Sequence, residues 1–599
     1  MKIRTPIKRN EREIIEPPIF LQFCDTNVVN GNKSVEYVEG LLHGRFKLFF
    51  KRMHVFSTPP KWNFFGEDIA HKHWSEVSVN AIEGQDIKMT WELSRFHWFM
   101  QLLFAYETTG NKKYLETANT WFVDWANQNP VNKGANWVCA QEVSIRLIHV
   151  LTGISKLPIS AIDMNLLIPF VVNHCKRIYP TIGYALGQDN NHGTSEAAGL
   201  YIGGCWLLTL EKLNSSTKKL AKSWREKGKR ILEERIGKLV LEDGGFCMYS
   251  LTYHRVLLNT VSIVEYWRFK TNSCSFSVSY QNKCYQAALW LHKMTDPQNG
   301  DAPNLGTNDG SNPFLVQYSD YRDFRPSIQL ASILFKNRKF YRDGSGANEA
   351  ANYLVPSKVC RAIFYEPKLV SEQLGSSGIA ILRSSGGAVH PNATVFVKYP
   401  RYQFRPSQCD LLHLDYWLDG VNILRDGGTY SYNCDQNMMK YFSGSKSHNT
   451  LEIDDVEPMP RISRFLLSSW RKMFFNSGVY QQSSSVLWKG AFEHYSGAKH
   501  KREIELKPTG LIVQDEFCST LGKAILRWRL KPMGWLLRGD SVVSDKMVIR
   551  FSSDEAIKIN LKRCFDSRYY QHIQDVFVVE LEINAAKGKV TTHFEIMEK

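Results

Sequence analysis

Hydrophobic positions recur at helical spacing from Ile87 onward. The first such set is Leu93, Phe96, Met100 and Leu103, spaced as one face of an α-helix. The same pattern predicts helices at about 115–128, 139–153, 163–178, 194–212, 217–236, 252–270, 281–295 and 325–338. Breakers such as Gly110-Asn111 and Gly244-Gly245 separate several of these segments. Consecutive helix pairs of similar length predict an α/α toroid (an incomplete barrel) or a helical solenoid over residues 86–355.

The pattern changes after about residue 355, where short β-type runs replace the helical period. These runs are Ile379–Leu382, Thr394–Lys398, Val421–Leu424, Leu451–Ile453, Arg502–Leu506, Gly510–Gln514, Met547–Phe551 and Asp575–Leu581. Turns with Gly, Asn and Asp lie between many of them. Residues 356–599 are therefore predicted to form an antiparallel β-sandwich that meets the helices in a cleft. Residues 1–85 are predicted to be an irregular cap with a few short strands or turns.

The charge balance adds a hypothesis about partners. The formal net charge of +16 favours a polyanion, either a nucleic acid or an acidic polysaccharide. A basic surface that serves only solubility explains the charge equally well. Since the chain has no zinc-finger spacing, RNA-binding signature or long Lys/Arg tract, a nucleic-acid partner is not expected.

Cysteine usage and the N-terminus bear on the cellular compartment. No two of the 12 cysteines have CxxC spacing, so no zinc ribbon or thioredoxin site is indicated. The first ten residues lack the apolar region of a secretory signal, which predicts a cytoplasmic location by default, with the periplasm as the alternative. A membrane span is not predicted, because the chain has no uncharged apolar stretch of about 18 residues.

Four polar segments are candidates for chemistry, and each also has an ordinary structural interpretation. Residues 187–198 form a polar loop entering a helix that Thr194 or Ser195 would cap, and this segment places the amide of Asn191 beside the imidazole of His192. Residues 243–254 lead from a Gly-Gly turn to Tyr253-His254, which would also suit an amphipathic helix. The other two are residues 405–432, predicted as strand, turn and strand, and Ser447–Thr450 before an apolar strand.

Together these segments resemble the heparinase II/III-like superfamily of polysaccharide lyases over roughly residues 85–530. The markers, in chain order, are Trp91–Arg95, Asn136-Trp137 with Arg146, Asn190–His192, Tyr253-His254, Asp426–Tyr430, Ser447–Thr450 and His500–Arg502. Each marker is loose, but their order and joint presence are fairly specific. The resemblance implies an N-terminal toroid and a C-terminal β-sandwich.

The resemblance also implies roles for individual residues. Asn191 and His192 match the pair that binds the uronate carboxylate, and Tyr253 matches the catalytic tyrosine. Asp426 and His448 match two ligands of a structural metal, often zinc. The chain departs from the family pattern at Gln408-Cys-Asp410, where a histidine ligand is usual, and at Pro406, where some members have another histidine. Gln408 is a poorer zinc ligand, and His413 is a candidate replacement for one of the missing histidines.

The predicted function is β-elimination at a uronate. A donor pair such as Asn191 and His192 would stabilise the charge that develops on the carboxylate. A tyrosine needs cationic or donor neighbours to act as a base, because its reference pKa is ~10. Arginines are plausible bidentate partners for carboxylate or sulfate, although a surface salt bridge is the ordinary role for any one of them.

Each candidate residue has a predicted role. The assignments are catalysis for Tyr253, His192, Asn191 and His413; substrate binding for Arg95, Asn136, Trp137, Arg146, Asn190, His254 and Arg405; and a structural divalent metal, zinc, at Asp426, His448 and Gln408. Two alternatives stay open. One is a non-catalytic acidic-glycan-binding or polysaccharide-assembly protein, which the departures at Pro406 and Gln408 favour. The other is a glycoside hydrolase, which needs two opposed carboxylates, and the chain offers Glu142, Asp189, Glu196, Asp243 and Asp309 as candidates.

Overall fold

The computed structural model describes residues 21, 32–49, 51–78, 86–314, 318–356, 359, 362–387 and 390–597. The prediction about an export signal concerns residues outside this set. Of the predicted cap, residues 1–20, 22–31, 50 and 79–85 also lie outside it. The helices are α1 (Asn32–Leu42), α2 (Glu67–Ala70), α3 (Ile87–Ser94), α4 (His97–Thr109), α5 (Lys112–Gln128), α6 (Ala140–Ile154), α7 (Met164–Ile178), α8 (Ile182–Gly187), α9 (Asn191–Leu208), α10 (Ser215–Leu239), α11 (Leu251–Lys270), α12 (Val278–Met294), α13 (Arg325–Lys336), α14 (Glu349–Leu354) and α15 (Gln436–Ser443).

The helical half is the predicted toroid, built from consecutive pairs with an inner and an outer member. The pairs in contact are α4 with α5, α6 with α7, α9 with α10, α11 with α12, and α13 with α14. The inner helix α6 is buried at every position, whereas the outer helix α10 buries one stripe and exposes many Lys, Arg and Glu residues. An amphipathic helix with one charged face belongs on the rim of a fold. The charged face of α10 therefore lies outside, whereas α6 lies inside although it carries Glu142, Arg146 and His149.

Two local predictions in the helical half were wrong. The expected irregular cap contains the regular helix α1, which packs against α4. The single helix expected from Ile87 is broken between α3 and α4, where Phe96 has a left-handed backbone with φ of 64°. This conformation is unfavourable for a bulky residue, but the Phe96 ring is fully buried among the rings of neighbouring helices. Packing of the ring offsets the local strain and turns the chain at Arg95.

The sheet half forms the predicted antiparallel sandwich. Its strands are β5 (Glu372–Leu374), β6 (Ile379–Ser384), β7 (Ala393–Lys398), β8 (His413–Leu418), β9 (Val421–Leu424), β10 (Leu451–Ile453), β11 (Arg461–Ser463), β12 (Leu466–Leu467), β13 (Met473–Asn476), β14 (Tyr480–Gln482), β15 (Ser485–Glu493), β16 (Lys499–Lys507), β17 (Gly510–Cys518), β18 (Ala524–Arg529), β19 (Leu536–Arg538), β20 (Ser541–Val543), β21 (Met547–Ser553), β22 (Ile557–Tyr569), β23 (His572–Ile583) and β24 (Lys587–Ile596). The short pairs β1 (Arg45–Leu48) with β2 (Arg52–Val55) and β3 (Arg338–Lys339) with β4 (Ile363–Phe364) lie outside the sandwich.

Two main layers enclose the core of the sandwich. One sheet has the order β5-β6-β7-β8-β9, and the larger one has the order β13-β15-β16-β17-β24-β21-β20-β19 with β14 beside β15. A further sheet has the order β10-β18-β23-β22. Leu414, Trp488, Val513 and Trp528 are fully buried in the core between them. The strand predicted at Arg502–Leu506 is confirmed, and its side chains alternate, because Arg502, Ile504 and Leu506 point inward from β16.

Both strands and loops of the sheet half contact the helices, since Ile381 of β6 and Phe396 of β7 pack into the core of the helical half. Residues 405–412, predicted as part of a strand, form an irregular segment before β8, and the short helix α15 follows β9. In the described residues, every cysteine is a free thiol. The helices placed by the structure include none with the length and apolar character required to cross a bilayer.

Candidate active site

Tyr253 and Tyr432 meet where the helical and sheet halves contact each other. Tyr253 lies in the first turn of α11, which Ser250 caps by accepting a hydrogen bond from the Tyr253 N–H at 3.2 Å. Tyr432 lies in the loop between β9 and α15. The two hydroxyl oxygens are 2.9 Å apart, and either can donate the hydrogen bond between them. Because Tyr253 is only 8% exposed, this pair is largely shielded from solvent.

The carboxylate of Asp86 fixes the position of Tyr432. Tyr570 accepts a hydrogen bond from the Tyr432 N–H at 3.0 Å and donates its own hydroxyl to Asp86 at 3.1 Å. Asp86, the N-cap of α3, also accepts from Gln571 at 3.0 Å and from Asn433 at 2.6 Å. One carboxylate of the helical half therefore binds three side chains of the sheet half.

Lys88 and Asp309 form a buried ion pair beside the two tyrosines. The Lys88 ammonium donates to the Asp309 carboxylate at 2.7 Å and to its backbone carbonyl at 2.8 Å. The same ammonium lies 5.6 Å from the ring centroid of Tyr432 and 4.9 Å from that of Tyr570. Burial opposes ionisation of Asp309, but Lys88 and Arg95 hold its pKa at about 2. A permanent negative charge therefore lies near the tyrosine pair.

The electrostatic surroundings of Tyr253 differ from those predicted. Burial raises the pKa of Tyr253 well above its usual value, and the Asp309 carboxylate and the Tyr432 hydroxyl raise it further. The expectation that cationic neighbours lower this pKa is therefore wrong for the free protein. Both phenols are neutral at neutral pH, since burial also raises the pKa of Tyr432.

The start of α9 carries Asn191, which is only 3% exposed, and the more accessible His192. Asn190 caps this helix, because its side-chain oxygen accepts from the His192 N–H at 3.0 Å, so the expected cap at Thr194 or Ser195 was wrong. The Asn191 amide donates to Gln141 on α6 at 2.8 Å, which fixes its orientation. His192 retains a 29% exposed side chain. The helix thus begins three residues earlier than predicted and carries both side chains in its first turn.

The imidazole of His192 is neutral. Burial lowers its pKa, and the nearby carboxylate of Glu196 counteracts this only in part. Glu196 lies one turn later, with an oxygen 3.9 Å from His192 Nδ1, and burial raises its pKa to about 8. Charges of Asp309 and Lys88 act on the pKa of His192, and Asp309 acts on that of Tyr253 as well. His192 and Tyr253 therefore border the same charged centre.

Arg95 was predicted to bind substrate, but it is not available to do so directly. Its guanidinium is buried and makes two hydrogen bonds to Glu142, at 2.6 and 2.9 Å. Its remaining nitrogen binds Glu92 at 2.5 Å and Ser311 at 3.3 Å. Burial alone would raise the pKa of Glu142, but Arg95 lowers it below the usual value. All three guanidinium nitrogens of Arg95 therefore donate to other residues of the protein.

The expected substrate-binding roles of Asn136, Trp137 and Arg146 are contradicted in the same way. All three side chains are buried inside the helical half. Arg146 donates to the carbonyls of Ser94 and Asn136 at 3.2 Å and lies over the rings of Trp125 and Trp137. These markers hold the turn at Arg95 in place, so they define the fold rather than the binding surface.

The other three predicted substrate ligands have different positions. Asn190 is committed to capping α9, and its amide donates to Gln188 at 3.0 Å. His254 is buried, stacks on Trp290 and contacts the Ala287 carbonyl at 2.8 Å, so it cannot reach a substrate. Arg405 is exposed, and it donates across the junction to the Gln188 carbonyl at 2.6 Å. Arg405 thus remains a candidate.

His413 lies in the core of the sheet half, and the prediction of a catalytic role is wrong for it. The ring is fully buried on β8. Its Nδ1 accepts a hydrogen bond from the Asn449 N–H at 2.9 Å, so the proton of the neutral ring is on Nε2, which lies 2.7 Å from Asp415. A neutral imidazole has one nitrogen lone pair that can accept a hydrogen bond, and in His413 the Asn449 N–H occupies it. His413 supports the loop that carries His448.

The predicted metal ligands gather beside His413. Ligand atoms of His413, Asp426 and His448 lie within 4.8 Å of one another. His448 Nδ1 is 2.9 Å from Asp426, whereas buried His448 Nε2 and Gln408 Oε1 have no hydrogen-bond partner among the described residues. The Gln408 amide donates to the Gly428 carbonyl at 3.3 Å, and the Asp426 carboxylate accepts from the Gly428 N–H at 2.6 Å. A carboxylate with unpartnered imidazole and amide atoms fits a divalent cation.

Tyr432, Lys88 and Asp309 were absent from the predicted lyase site, and Asp309 had been considered only as a carboxylate of the alternative hydrolase. Tyr432 follows the Asp426–Tyr430 marker by two residues, so that marker was a usable signal. Lys88 is an ordinary polar residue at the start of a helix, and Asp309 lies in a loop 221 residues away. No local pattern joins the last two.

Family models match most of the chain. The model described as Heparinase II/III N-terminus matches residues 21–330, and the one described as Heparinase II/III-like, C-terminal matches residues 367–574. A heparin-sulfate lyase of Bacteroides stercoris is 23% identical over 425 residues, which cover 66% of this chain and 57% of the relative. The chain thus spans less than two thirds of that relative's length.

Solved structures share the fold. A heparinase III superposes with a TM-score of 0.70 at 15% identity, covering 99% of this chain and 88% of the other. A mutant heparan sulfate lyase of Pedobacter heparinus gives a TM-score of 0.59 at 17% identity, with coverages of 96% and 85%. Both likenesses extend over the helical half and the sheet half of this chain. Because one family model alone matches more than half of the residues and the second matches most of the sheet half, the chain belongs to the heparinase II/III-like family.

Proposed function

We propose that this protein is a polysaccharide lyase that cleaves a uronate-containing acidic polysaccharide by β-elimination. The observation that carries the proposal is the pair of Tyr253 and Tyr432 hydroxyls, 2.9 Å apart, at the junction of the two halves. Two phenols in direct contact can receive one proton and deliver another without a change in net charge. β-Elimination requires such an exchange, because it removes one proton from the substrate and returns one to the leaving group.

The chemistry assigns a task to each group. Loss of the C5 proton of the uronate leaves an electron pair that forms the C4–C5 double bond. The C4–O4 bond then breaks, and O4 departs with the neighbouring sugar and takes up a proton. In the proposal, the Asn191 amide and the neutral His192 ring donate hydrogen bonds to the uronate carboxylate as charge develops on it. Their rigid placement in the first turn of α9 supports this role.

The raised pKa of Tyr253 shapes the roles of the two phenols. The free protein keeps Tyr253 protonated, so it can act as a base only if its phenolate is stabilised in the complex. Proton transfer along the hydrogen bond between the two hydroxyls meets this need, since Tyr253 can pass its proton to Tyr432 while Tyr432 gives its own proton to O4, and the Tyr253 oxygen then takes the C5 proton. Lys88 partly neutralises the adjacent Asp309 charge. We therefore assign proton abstraction to Tyr253 and protonation of O4 to Tyr432, which lies on the sheet side.

Glycosaminoglycans are the proposed substrate class. Two similar proteins are named as lyases of heparin sulfate and heparan sulfate. The net charge of +16 would attract any such polyanion over long range. A heparan-type chain is accordingly the first substrate to test.

A structural divalent cation is proposed at Asp426, His448 and Gln408. The unpartnered buried atoms His448 Nε2 and Gln408 Oε1 support it. A cation there would cross-link the loop before β8 to the loops after β9 and before β10, which lead to Tyr432. It would contribute rigidity, since these residues lie in the core of the sheet half.

Non-catalytic binding of an acidic glycan is the second candidate. It is favoured by one observation, the negative charge of Asp309 near Tyr253 where a base would need a cation. A hydrolase is less well supported. Among the carboxylates near the tyrosines, Glu142 is paired with Arg95 and Asp309 with Lys88, so neither is free to act as acid or nucleophile.

An ultraviolet assay separates these functions. The purified protein would be incubated with heparan sulfate, heparin, chondroitin sulfate, hyaluronan and alginate. A lyase releases unsaturated uronate, which absorbs ultraviolet light, whereas a hydrolase releases only saturated reducing ends. Saturable binding without either product would establish the binding protein and reject the lyase.

A further inference from the structure

The hairpin formed by β11 and β12 lies beside the tyrosine pair and has no part in the proposed chemistry. Residues 461–467 read Arg-Ile-Ser-Arg-Phe-Leu-Leu, and the strands pair through Arg461 with Leu467 and Ser463 with Leu466. Leu467 is buried in the sandwich core and anchors the hairpin. Its turn carries Arg464 and Phe465.

Phe465 contacts the proposed acid directly. Its ring centroid is 4.9 Å from that of Tyr432, with an interplanar angle of 84°. The ring nevertheless remains 45% exposed. A large apolar side chain that is held at a site but left half-open to solvent is typical of a binding surface. Sugar rings present apolar C–H faces that pack on such aromatic groups.

Arg464 adds an unpaired positive charge to the same turn. It is exposed, and its guanidinium donates to the neutral amide oxygen of Asn433 at 2.9 Å. Asn433 donates in turn to Asp86 at 2.6 Å, which ties the turn to the helical half. In the described part of the chain, no carboxylate forms an ion pair with Arg464. Its remaining donors are therefore free for a sulfate or carboxylate, which guanidinium groups bind well.

We infer that Phe465 and Arg464 form a subsite for a sulfated hexosamine on the leaving side of the cleaved bond. The inference rests on the proposed function, which places Tyr432 at O4. O4 departs with the sugar that precedes the uronate, so a group beside Tyr432 contacts that sugar. Phe465 packs against its ring, and Arg464 binds its sulfate. The hairpin thereby sets the preference for sulfation at this position.

The test compares heparan sulfate with its N-desulfated, N-acetylated form. The wild type is expected to cleave the N-sulfated substrate with the higher kcat/KM. Arg464→Ala should lower kcat/KM about 10-fold or more on the sulfated substrate and little on the other. Phe465→Ala should raise KM on both about fivefold while kcat is retained, and Phe465→Trp should restore the wild-type KM. Ile462→Ala is the matched control, since this residue is 63% exposed on the same hairpin.

Each outcome has a distinct consequence. The subsite is rejected, while the lyase stands, if the wild type yields unsaturated product without a preference for the sulfated substrate. The same holds if Arg464→Ala keeps the wild-type preference for the sulfated substrate. A loss of kcat in both Phe465 variants with unchanged KM would show that the ring only supports Tyr432, and would also reject the subsite. If the wild type yields no unsaturated product from any glycan, the proposed function fails. Unchanged thermal unfolding confirms that each variant is folded.

Discussion

The hydroxyl of Tyr253 lies 2.9 Å from that of Tyr432, although 179 residues separate them in the chain. One phenol belongs to an inner helix of the toroid and the other to a loop of the sandwich. This hydrogen bond is one of several that join the two halves, and it lies where the proposed chemistry takes place. The consequences can be tested residue by residue.

Tyr253→Phe and Tyr432→Phe should each lower kcat for product formation at least ~100-fold, because either change removes one of the two proton carriers. The measurement is the initial rate of ultraviolet absorbance on a saturating substrate. Tyr266→Phe is the control, since Tyr266 lies on the same helix with its hydroxyl 2.8 Å from Ser155. Wild-type rates in either site variant would reject its assigned role.

The neighbouring amides of Asn190 and Asn191 should respond differently. Asn191→Ala removes a donor to the developing charge and should lower kcat about 100-fold or more. Asn190→Ala removes only a helix cap, which costs about 1 kcal/mol in the free energy of unfolding. Rates and denaturation curves of both variants make the comparison. Equal loss of kcat would show that the start of α9 matters only as a scaffold.

His192→Ala should also abolish product formation while the fold persists, because the neutral imidazole is proposed to donate to the substrate. The expected loss is about 100-fold in kcat. Circular dichroism checks the fold. Full activity of this variant would remove His192 from the site.

Glu142→Gln should destabilise the protein by about 3 kcal/mol, because it leaves the buried guanidinium of Arg95 without its main counterion. Glu595→Gln is the matched control: its exposed pair with Arg550 should be worth less than about 1 kcal/mol. Chemical denaturation measures both. A small effect at Glu142 would mean that Glu92 alone satisfies Arg95.

Glu196 should make stability depend on pH. The folded carboxyl keeps its proton up to about pH 8, whereas an unperturbed glutamate releases it near 4.5. Because the folded state binds more protons between these values, this group makes the free energy of unfolding fall as the pH rises from about 4.5 to about 8, and adds no slope above that. Glu196→Gln should reduce the difference between pH 5 and pH 8 by a few kcal/mol. Parallel slopes for variant and wild type would contradict the raised pKa.

Metal analysis of the purified protein should find about one divalent ion per chain, and His448→Ala should remove it. A chelator should lower the thermal midpoint of the wild type but not that of the variant. His593, a strand residue of β24 remote from the cluster in sequence, provides the control substitution His593→Ala. Absence of metal from active wild type would show that the cluster is held by hydrogen bonds alone.

The sequence by itself determined the architecture. A 3.6-residue period through α5 to α13 and a two-residue period along β16 depend only on which side chains must leave water, so helices, strands and their buried faces could be predicted. The family markers around Asn191, His192 and Tyr253 could also be identified from the sequence, because each is a short run of adjacent residues. The same contiguity misled at Arg146, Trp137 and His254, where a conspicuous motif lies inside the core.

Only the tertiary structure decided what surrounds the reactive groups. Lys88 meets Asp309 across 221 residues, Asp86 binds three side chains of the sheet half, and Phe465 lies on Tyr432. Burial and neighbouring charge set a pKa, and both depend on which residues pack together in the folded chain rather than on which residues are adjacent in sequence. The direction of the Tyr253 shift was therefore beyond the sequence, since it depends first on burial of the phenol and then on a carboxylate from a distant loop.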